Sequence, residues 1–299
     1  FRRLLAFLGW VGIISFACVF LTLLAVMVVA MQSKEERVEL GNIKTEHAVA
    51  VLPLTGEIFS SDRFREQLKT AVESPKIKAV VVRIDSPGGA VGASEEIYNA
   101  IKRANEKKPI VCALGNIAAS GGIYAAVGCK KIVTNRGTLT GSIGVIMMMP
   151  NFSQVLDRYG VGMTIIKSGR YKDSGSPFRS NTPEDMKLLQ SVVDGAYEQF
   201  LQTVAEGRGL ALEVVRKFAD GRVILGEEAV KLGLVDEVGD TLRAAQLALG
   251  LVGDTAEPEL IMPKKPSGLS RIFGEMDELS WVPWLQGISE TRLLYRAFL

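Results

Sequence analysis

Short apolar runs alternate with amphipathic segments through the middle of the chain. Continuous runs rich in β-branched residues over 48–54, 77–84 and 110–114 predict buried strands, and the helical spacing of apolar residues over 61–73 and 92–106 predicts helices between them. Strands that alternate with helices are typical of a largely parallel sheet joined by crossover connections. The pattern therefore predicts an α/β fold.

Three further segments continue this alternation. Residues 120–127 predict the start of a helix, residues 131–134 a strand, and residues 183–206 a long amphipathic helix. The long helix opens with Thr182 and Pro183, an N-cap residue followed by a proline at the first helical position. These two residues predict where the helix begins.

The N-terminal stretch differs in character, because the residues from Leu4 to Met31 carry no charge. As a helix rising ~1.5 Å per residue, this run of about 28 residues is ~42 Å long and can cross a bilayer core of ~30 Å with tilt. Arg2 and Arg3 precede the run and a mixed-charge segment follows it, which predicts a cytoplasmic N-terminus and an extracytoplasmic remainder. A cleaved signal peptide is the alternative, although its apolar part usually has only ~7–15 residues.

Composition and charge narrow the function classes. Of the 299 residues, 47% are hydrophobic and 23% are charged, which suits a folded chain rather than a disordered one. Lys and Arg total 35 against 33 Asp and Glu, so without Arg2 and Arg3 the remainder is formally neutral. Because phosphate binding needs an excess of basic residues on one face, nucleic-acid binding is not expected.

The scarcity of histidine limits the chemistry further. His47 is the one histidine of the sequence, so a His-rich metal site is excluded and a Ser-His-Asp triad would have to use it. We expect His47 on the surface and no metal or other cofactor. The cysteines Cys18, Cys112 and Cys129 lack metal-ligand spacing; Cys112 is expected to be a buried apolar residue, and a bridge to Cys129 is an open alternative.

A serine among small residues offers a nucleophile. Ala118-x-Ser120-x-Gly122 follows a predicted strand and enters a predicted helix, as in the elbow that presents a reactive serine, with alanine in place of the usual first glycine. Small neighbours permit the sharp turn, and the amide of Gly121 would then point to where an oxyanion develops. The same residues also suit close helix packing, so the motif alone does not assign catalysis.

Two other segments add candidate groups. The run from Asp85 to Ala90 ends another predicted strand, and its paired glycines would let the backbone approach a ligand and supply a second amide; an ordinary turn is the alternative. Downstream, Lys167 and Lys172 lie in a polar segment. A lysine replaces histidine as a base only if it is neutral at the working pH, which requires its pKa to fall from ~10.4 to ~7–8.

Together these motifs resemble the signal peptide peptidase A family of membrane-anchored Ser/Lys proteases, within the Clp-protease and crotonase-like superfamily. The resemblance spans about residues 47–240 and rests on the segments DSPGG, AASGGIYAA, TGSIGV, SGRYKDSGSPFR and GEEAVKLGLVDEVG. It implies a repeated ββα spiral core. The site residues that it implies are the nucleophile Ser120, the general base Lys172 in preference to Lys167, the oxyanion-hole amides of Gly89 and Gly121, and the lysine-orienting hydroxyl of Ser142.

The resemblance also implies a function and an organisation. It implies a serine endopeptidase of the inner membrane that degrades cleaved signal peptides, needs no cofactor and forms a homo-oligomer, since the chain holds one copy of the module. A crotonase-fold acyl-CoA enzyme and a catalytically vestigial oligomeric scaffold are the alternatives. The expected segments are a cytoplasmic flank over 1–3, a transmembrane anchor over 4–31, a linker over 32–46, a Ser/Lys peptidase domain over 47–254 and a C-terminal extension over 255–299.

Overall fold

The computed structural model of the chain describes residues 20–21 and 39–264, together with the backbone of 293–296. The predicted anchor over 4–31 lies outside the described residues apart from Phe20 and Leu21. Within the described part of the chain, no helix has both the length and the apolar character that a bilayer crossing needs. The anchor therefore stays a prediction.

Contacts between residues divide the chain into two units, which consist of residues 1–38 with 264–282 and of residues 39–263 with 283–299. The described residues of the first unit are Phe20, Leu21 and Lys264. The second unit contains the predicted α/β domain.

A mainly parallel sheet forms the centre of this domain. The described strands are β1 Ala48–Thr55, β2 Ile77–Ser86, β3 Gly88–Ala90, β4 Ile110–Ala119, β5 Lys131–Thr134, β6 Leu139–Gly141, β7 Ile146–Met147, β8 Val223–Leu225, β9 Glu237–Val238, β10 Glu259–Ile261 and β11 Leu293–Arg296. The main sheet has the order β10-β1-β2-β4-β5-β9 with parallel neighbours; β6 pairs with β4 in parallel, and β8 pairs with β6 antiparallel. Strands β3, β11 and β7 form a second sheet in that order.

Helices cover both faces of the main sheet. The described helices are α1 Asp62–Glu73, α2 Val91–Ala104, α3 Gly121–Ala126, α4 Ser153–Arg158, α5 Pro183–Arg208, α6 Leu212–Arg216, α7 Gly226–Lys231 and α8 Thr241–Gly250. Buried side chains of α1, α2, α3 and α5 share one core with the sheet, and those of α8 share a second core with its other face. The α/β class predicted from the sequence is thereby confirmed.

The strands are apolar on both sides because each of them contributes to both cores. Leu52 of β1 belongs to the same core as Phe200 of α5, whereas its neighbour Val51 belongs to the core that contains Ala248 of α8. Successive side chains of a strand point to opposite faces of the sheet, so a strand that is covered on both faces reads as a continuous apolar run.

The predicted long helix is present as α5, which has 26 residues. Its start is fixed by a capping box in which Asp185 N donates to Thr182 Oγ1 over 3.1 Å and Thr182 N donates to the Asp185 carboxylate over 2.9 Å. It ends at Gly209, whose φ of 63° is the left-handed conformation that glycine adopts readily. The fully buried Phe200 anchors the helix to the core.

Two features near the sheet go beyond the predicted pattern. Strand β4 continues past its predicted end at Leu114 to Ala119, because its last residues pair with β6. A disulfide joins Cys112 to Cys129, with 5.8 Å between their Cα atoms, so the bridge that the sequence left open is present.

His47 lies before β1 with its side chain 41% exposed, and its Nδ1 is 2.8 Å from an Asp254 carboxylate oxygen.

Candidate active site

The candidate site lies at the carboxyl ends of three neighbouring strands. Strand β2 leads into the short strand β3, which carries Gly89, β4 leads into the turn that carries Ser120, and β6 leads into the turn that carries Ser142. Pairing of β4 with β2 on one side and with β6 on the other holds these ends next to one another. Four of the five predicted site residues are thus brought together, since Gly121 follows Ser120 directly.

Ser120 occupies the predicted turn between strand and helix. Its φ of 53° and ψ of −115° lie in a region that residues other than glycine rarely adopt, at a strain of about 1–3 kcal/mol. The backbone compensates for this strain, because Ser120 N donates to Gly141 O over 2.8 Å and Tyr124 N donates to Ser120 O over 2.9 Å. Main-chain bonds therefore fix the backbone from which the Ser120 side chain extends.

The Ser120 hydroxyl is buried and unsatisfied. The residue is 0% exposed, and Oγ has no hydrogen-bond partner within the described part of the chain. Because an unpaired buried polar group costs about 1–3 kcal/mol, such groups are rare unless they serve a function. This hydroxyl is free to bond a group that is not part of the described chain.

Gly89 and Gly121 lie where side chains do not fit. A Cβ on Gly89 would overlap the carbonyl oxygen of Ile58. A Cβ on Gly121 would overlap Ser94 Oγ and would lie 3.1 Å from the Gly89 nitrogen. The absence of both side chains lets β3 approach the turn after β4, as a pair of oxyanion-hole donors requires.

The short strand β3, which carries Gly89, is held on both sides. Ile58 N donates to Gly88 O over 2.9 Å, and Ala90 N donates to Ile58 O over 2.7 Å. On the other side, the buried Ser94 donates from Oγ to Ala90 O over 2.9 Å. These bonds fix the backbone around Gly89 without using any charged side chain.

Ser142, like Ser120, has a positive φ. With φ values of 49° and 53°, these two serines are the residues other than glycine that have positive φ in the described part of the chain. Residues with a strained backbone cluster at functional sites, where hydrogen bonds to their neighbours hold them in that conformation. At Ser142 this bond runs from its backbone N to Arg222 O over 2.8 Å. Ser142 also borders a cavity of about 490 Å³, whose other walls include Ile146 of β7 and Asp194 of α5.

Lys172 is the predicted site residue that the structure leaves apart. It lies in an exposed turn, where its amide donates to Gly169 O over 3.1 Å. Because Ser120 Oγ has no partner among the described residues, Lys172 makes no hydrogen bond to it within one copy. The competing Lys167 is engaged elsewhere, since its Nζ donates to Arg170 O and to the Asp173 carboxylate.

Charged side chains surround the turn that carries Lys172. Arg179 lies between Asp173 and Asp185, and hydrogen bonds from its guanidinium hold the pKa of both carboxyls well below their usual range. Lys167 adds to this effect at Asp173, and Ser174 adds to it at Asp185. Within residues 39–264, no group of three or more His, Cys, Asp or Glu side chains is arranged to hold a metal ion.

A strand from the end of the chain lies between β3 and β7, directly beside Gly89. Backbone pairing places Tyr295 of β11 opposite Gly89 and Leu294 opposite Ala90, and on its other edge β11 pairs with Ile146 and Met147 of β7. The backbone of β11 also packs against α2 and α3. An extended peptide backbone therefore fits between β3 and β7, with hydrogen-bonding partners on both edges.

Sequence reasoning missed two components of this region. The strand β11 lies in the predicted extension over 255–299; its four residues are too few to show a periodic pattern, and its partners are fixed only by long-range pairing. The charged cluster had a visible signal, since Asp173, Arg179 and Asp185 recur at intervals of six residues within and after the SGRYKDSGSPFR segment.

Comparison with known proteins identifies relatives of this chain. The sequence profile of peptidase family S49 matches residues 102–252, and that of the Clp protease family matches residues 46–146. The putative protease slr0021 of Synechocystis is 44% identical over 252 residues, which is 83% of this chain and 90% of that protein.

Other relatives carry more specific names and are longer. The putative signal peptide peptidase SppA of Enterococcus faecium is 41% identical over 61% of this chain and 54% of its own length. Protease 4 of Salmonella typhi is 35% identical over 62% of this chain and 31% of its own length. The matched part of this chain therefore spans from about a third to nine tenths of these three relatives.

Proposed function

The chain belongs to peptidase family S49, and from this membership we propose that it is a membrane-anchored serine endopeptidase with Ser120 as nucleophile and Lys172 as general base. Its substrates are extended apolar peptides, above all the signal peptides that remain after preprotein cleavage. The proposal includes a repeated ββα spiral core and an N-terminal anchor over 4–31.

The proposed reaction needs only groups of the protein and water. Neutral Lys172 takes the Ser120 proton as Oγ bonds to the substrate carbonyl carbon, and the resulting oxyanion accepts hydrogen bonds from the Gly89 and Gly121 amides. The lysine ammonium then gives its proton to the leaving amine as the C–N bond breaks. Water, deprotonated by the same lysine, releases the acyl group and restores Ser120.

The single observation that carries the proposal is the state of Ser120. Its buried hydroxyl has no partner in the described chain, and its backbone is strained beside two glycines that leave no room for side chains. A serine that served packing alone would be satisfied by a neighbour and would need no strained turn.

The cleft supports a peptide rather than an acyl-CoA thioester as substrate. The chain's own β11 lies there as an extended strand paired on both edges. Proteins that bind extended peptides commonly do so by adding a strand to exposed edges, where main-chain hydrogen bonds supply affinity. A thioester substrate has no peptide backbone with which to use both edges.

The position of Lys172 supports a base supplied by a second copy. Lys172 lies in an exposed segment that also presents large apolar side chains, with Tyr159 76% exposed and Ile166 97% exposed. Burying such side chains against another copy is favourable, and it would bring an amine towards the unpaired Ser120 hydroxyl. We therefore propose a homo-oligomer in which the dyad is shared between copies.

The extracytoplasmic location is part of the same proposal. The disulfide between Cys112 and Cys129 supports it, because structural disulfides persist in oxidising compartments outside the cytoplasm. An anchored enzyme and an apolar peptide released in the membrane would be confined to the same surface.

The decisive experiment measures cleavage of an apolar peptide by the full chain in detergent. Ser120→Ala and Lys172→Ala should each lower kcat by at least about 10³-fold, and the wild-type rate should rise with pH through about 7–8. Full activity in either variant would contradict the dyad. A serine-directed acylating probe should label Ser120, and an unlabelled wild-type protein would favour the scaffold alternative.

Mixing the two inactive variants tests the shared site. If the dyad forms between copies, Ser120→Ala and Lys172→Ala subunits should recover activity when they assemble together. No recovery in mixed oligomers would indicate a dyad that closes within one copy.

A further inference from the structure

The turn that carries the proposed base is held by charged side chains rather than by an apolar core. We use the name Asp173 cluster for Lys167, Asp173, Arg179 and Asp185. Asp173 follows Lys172 directly, so whatever fixes Asp173 also fixes the backbone from which the Lys172 side chain extends. The proposed reaction assigns no role to any member of this cluster.

Arg179 is the central member of the Asp173 cluster. Its Nε lies 2.8 Å from one Asp173 carboxylate oxygen and its Nη2 lies 2.9 Å from the other, which is the bidentate geometry of a strong charge-assisted pair. Its Nη1 lies 2.6 Å from an Asp185 carboxylate oxygen. One planar group thus joins two carboxylates, a task that the point charge of a lysine cannot reproduce.

Burial distinguishes this cluster from ordinary surface ion pairs. The side chains of Asp185, Asp173 and Arg179 are 4%, 10% and 25% exposed. By contrast, the pair between Arg216 and Glu198 is 43% and 44% exposed. Because solvent and salt screen buried pairs less than exposed ones, the Asp173 cluster is the better device for fixing a geometry.

The cluster connects the turn to the core through α5. Asp185 accepts from Arg179 and from Ser174 Oγ, and it is also the capping-box residue of α5. Helix α5 is anchored by the fully buried Phe200. A continuous path of strong contacts therefore runs from the backbone beside Lys172 to the hydrophobic core.

We propose that Arg179 is a positioning residue for Lys172, which sets the turn in the shape that presents the lysine amine to Ser120. The proposal rests on the role of Lys172 as the base. Lys172 is exposed and has a long side chain, so it reaches a reactive geometry only if its backbone is already placed. A displacement of about 1 Å at a catalytic group lowers a rate by about 100-fold.

The test compares Arg179→Ala and Arg179→Lys with wild type in the full chain on the apolar peptide. Arg179→Ala should lower kcat by about 30–100-fold and change KM by less than about threefold, because the peptide cleft does not contain the cluster. Arg179→Lys should recover part of kcat, since it keeps the charge but loses the bidentate bond. Each kcat is calculated per folded and assembled protein; thermal unfolding measures whether a variant is folded, and light scattering measures whether it is assembled.

The matched control is Arg216→Ala, which removes a guanidinium from an exposed pair beside α5 and should leave kcat within about twofold. Wild-type kcat in both Arg179 variants would overturn the proposal, as would an equal loss in Arg216→Ala. If Arg179→Ala does not fold, the test rests on Arg179→Lys: a lower kcat with an unchanged KM supports the proposal, and a wild-type kcat overturns it. Full activity in Lys172→Ala would instead refute the proposed function, so the two failures are distinguishable.

Discussion

The two halves of the proposed dyad are built in opposite ways. Ser120 is fully buried and is held by main-chain bonds at the ends of parallel strands, with glycines providing the space around it. Lys172 is exposed and lies in a turn that is held by the ion pairs of the Asp173 cluster. We call Ser120 with Gly89 and Gly121 the serine half, and Lys172 with the turn around it the lysine half. One copy of the chain contains all residues of the serine half, whereas Lys172 of the same copy is exposed and makes no hydrogen bond to Ser120 Oγ.

The two regions therefore depend on different kinds of residue. The region around Ser120 is shaped by the backbone and depends on glycines, so adding a single methyl group at one of these glycines should lower kcat strongly. A site made by ion pairs depends on side-chain chemistry and on pH.

Gly121→Ala should break the serine half most severely. The new Cβ would overlap Ser94 Oγ and crowd the Gly89 nitrogen, which would separate the two proposed oxyanion donors. Loss of one such donor lowers kcat by about 10²–10³-fold, measurable by steady-state peptide cleavage. The control is Gly92→Ala, where a Cβ would meet nothing within 4 Å. Normal kcat in Gly121→Ala would contradict the oxyanion assignment.

Removal of the disulfide should weaken the framework behind Ser120 without changing the chemistry. The bridge closes a loop across 17 positions, so Cys112→Ser combined with Cys129→Ser should lower the free energy of unfolding by about 3 kcal/mol. For a domain of this size, Tm should fall by about 6–12 °C in a calorimetric scan. A reductant should lower the wild-type Tm similarly and leave the double variant unchanged. An unchanged Tm in the variant would show that the bridge does not stabilise the domain.

Deletion of residues 293–299 should make the serine half more accessible. The strand β11 is tethered to the chain and occupies the cleft at high effective concentration, so it competes with added peptide. Its removal should raise kcat/KM for a short peptide by about 3–10-fold and speed acylation of Ser120 by a probe. A synthetic peptide of this sequence should inhibit the truncated protein. Unchanged kcat/KM and labelling rates would show that the strand does not limit access.

Acid should loosen the lysine half first. Arg179 holds the pKa of Asp173 and of Asp185 below the usual range, so their stabilising contribution is complete above the unfolded value of ~3.9 and is lost as pH falls through the depressed folded values. Hydrogen exchange of amides in 170–176 should therefore speed up, relative to the intrinsic rate, only below about pH 4. Amides of β4 serve as the control. Equal protection of both segments at every pH would contradict this order.

The fold and the serine half were largely predictable from the sequence. Apolar runs marked the central strands, and the Thr182-Pro183 pair marked the start of α5. The candidate segments that follow the predicted strands over 77–84 and 110–114 do lie together, because parallel strands end at one edge of a sheet; Ser142 joins them through β6, a strand that was not predicted, and it was assigned only through the family resemblance. These are consequences of local pattern and of a simple topology.

The lysine half was not predictable in the same way. The segment that leads to Lys172 has no apolar periodicity and few core contacts, so its path is set by pairing between specific side chains such as Arg179 and Asp173. The position of β11 likewise depends on strand pairing across more than 140 residues of sequence. Neither kind of long-range or polar contact leaves a periodic signal in the chain.

The slot between β3 and β7 also limits what the protein can digest. A segment that lies there as β11 does must form backbone hydrogen bonds with the strands on either side. In a helix, the same amides and carbonyls are already hydrogen-bonded to each other. A hydrophobic peptide that rests as a helix in lipid would have to unwind before it could enter. Unwinding of the helix, rather than bond cleavage, would then be the rate-limiting step for such peptides. A proline near the scissile bond has no amide proton, so one hydrogen bond to the neighbouring strand would be missing.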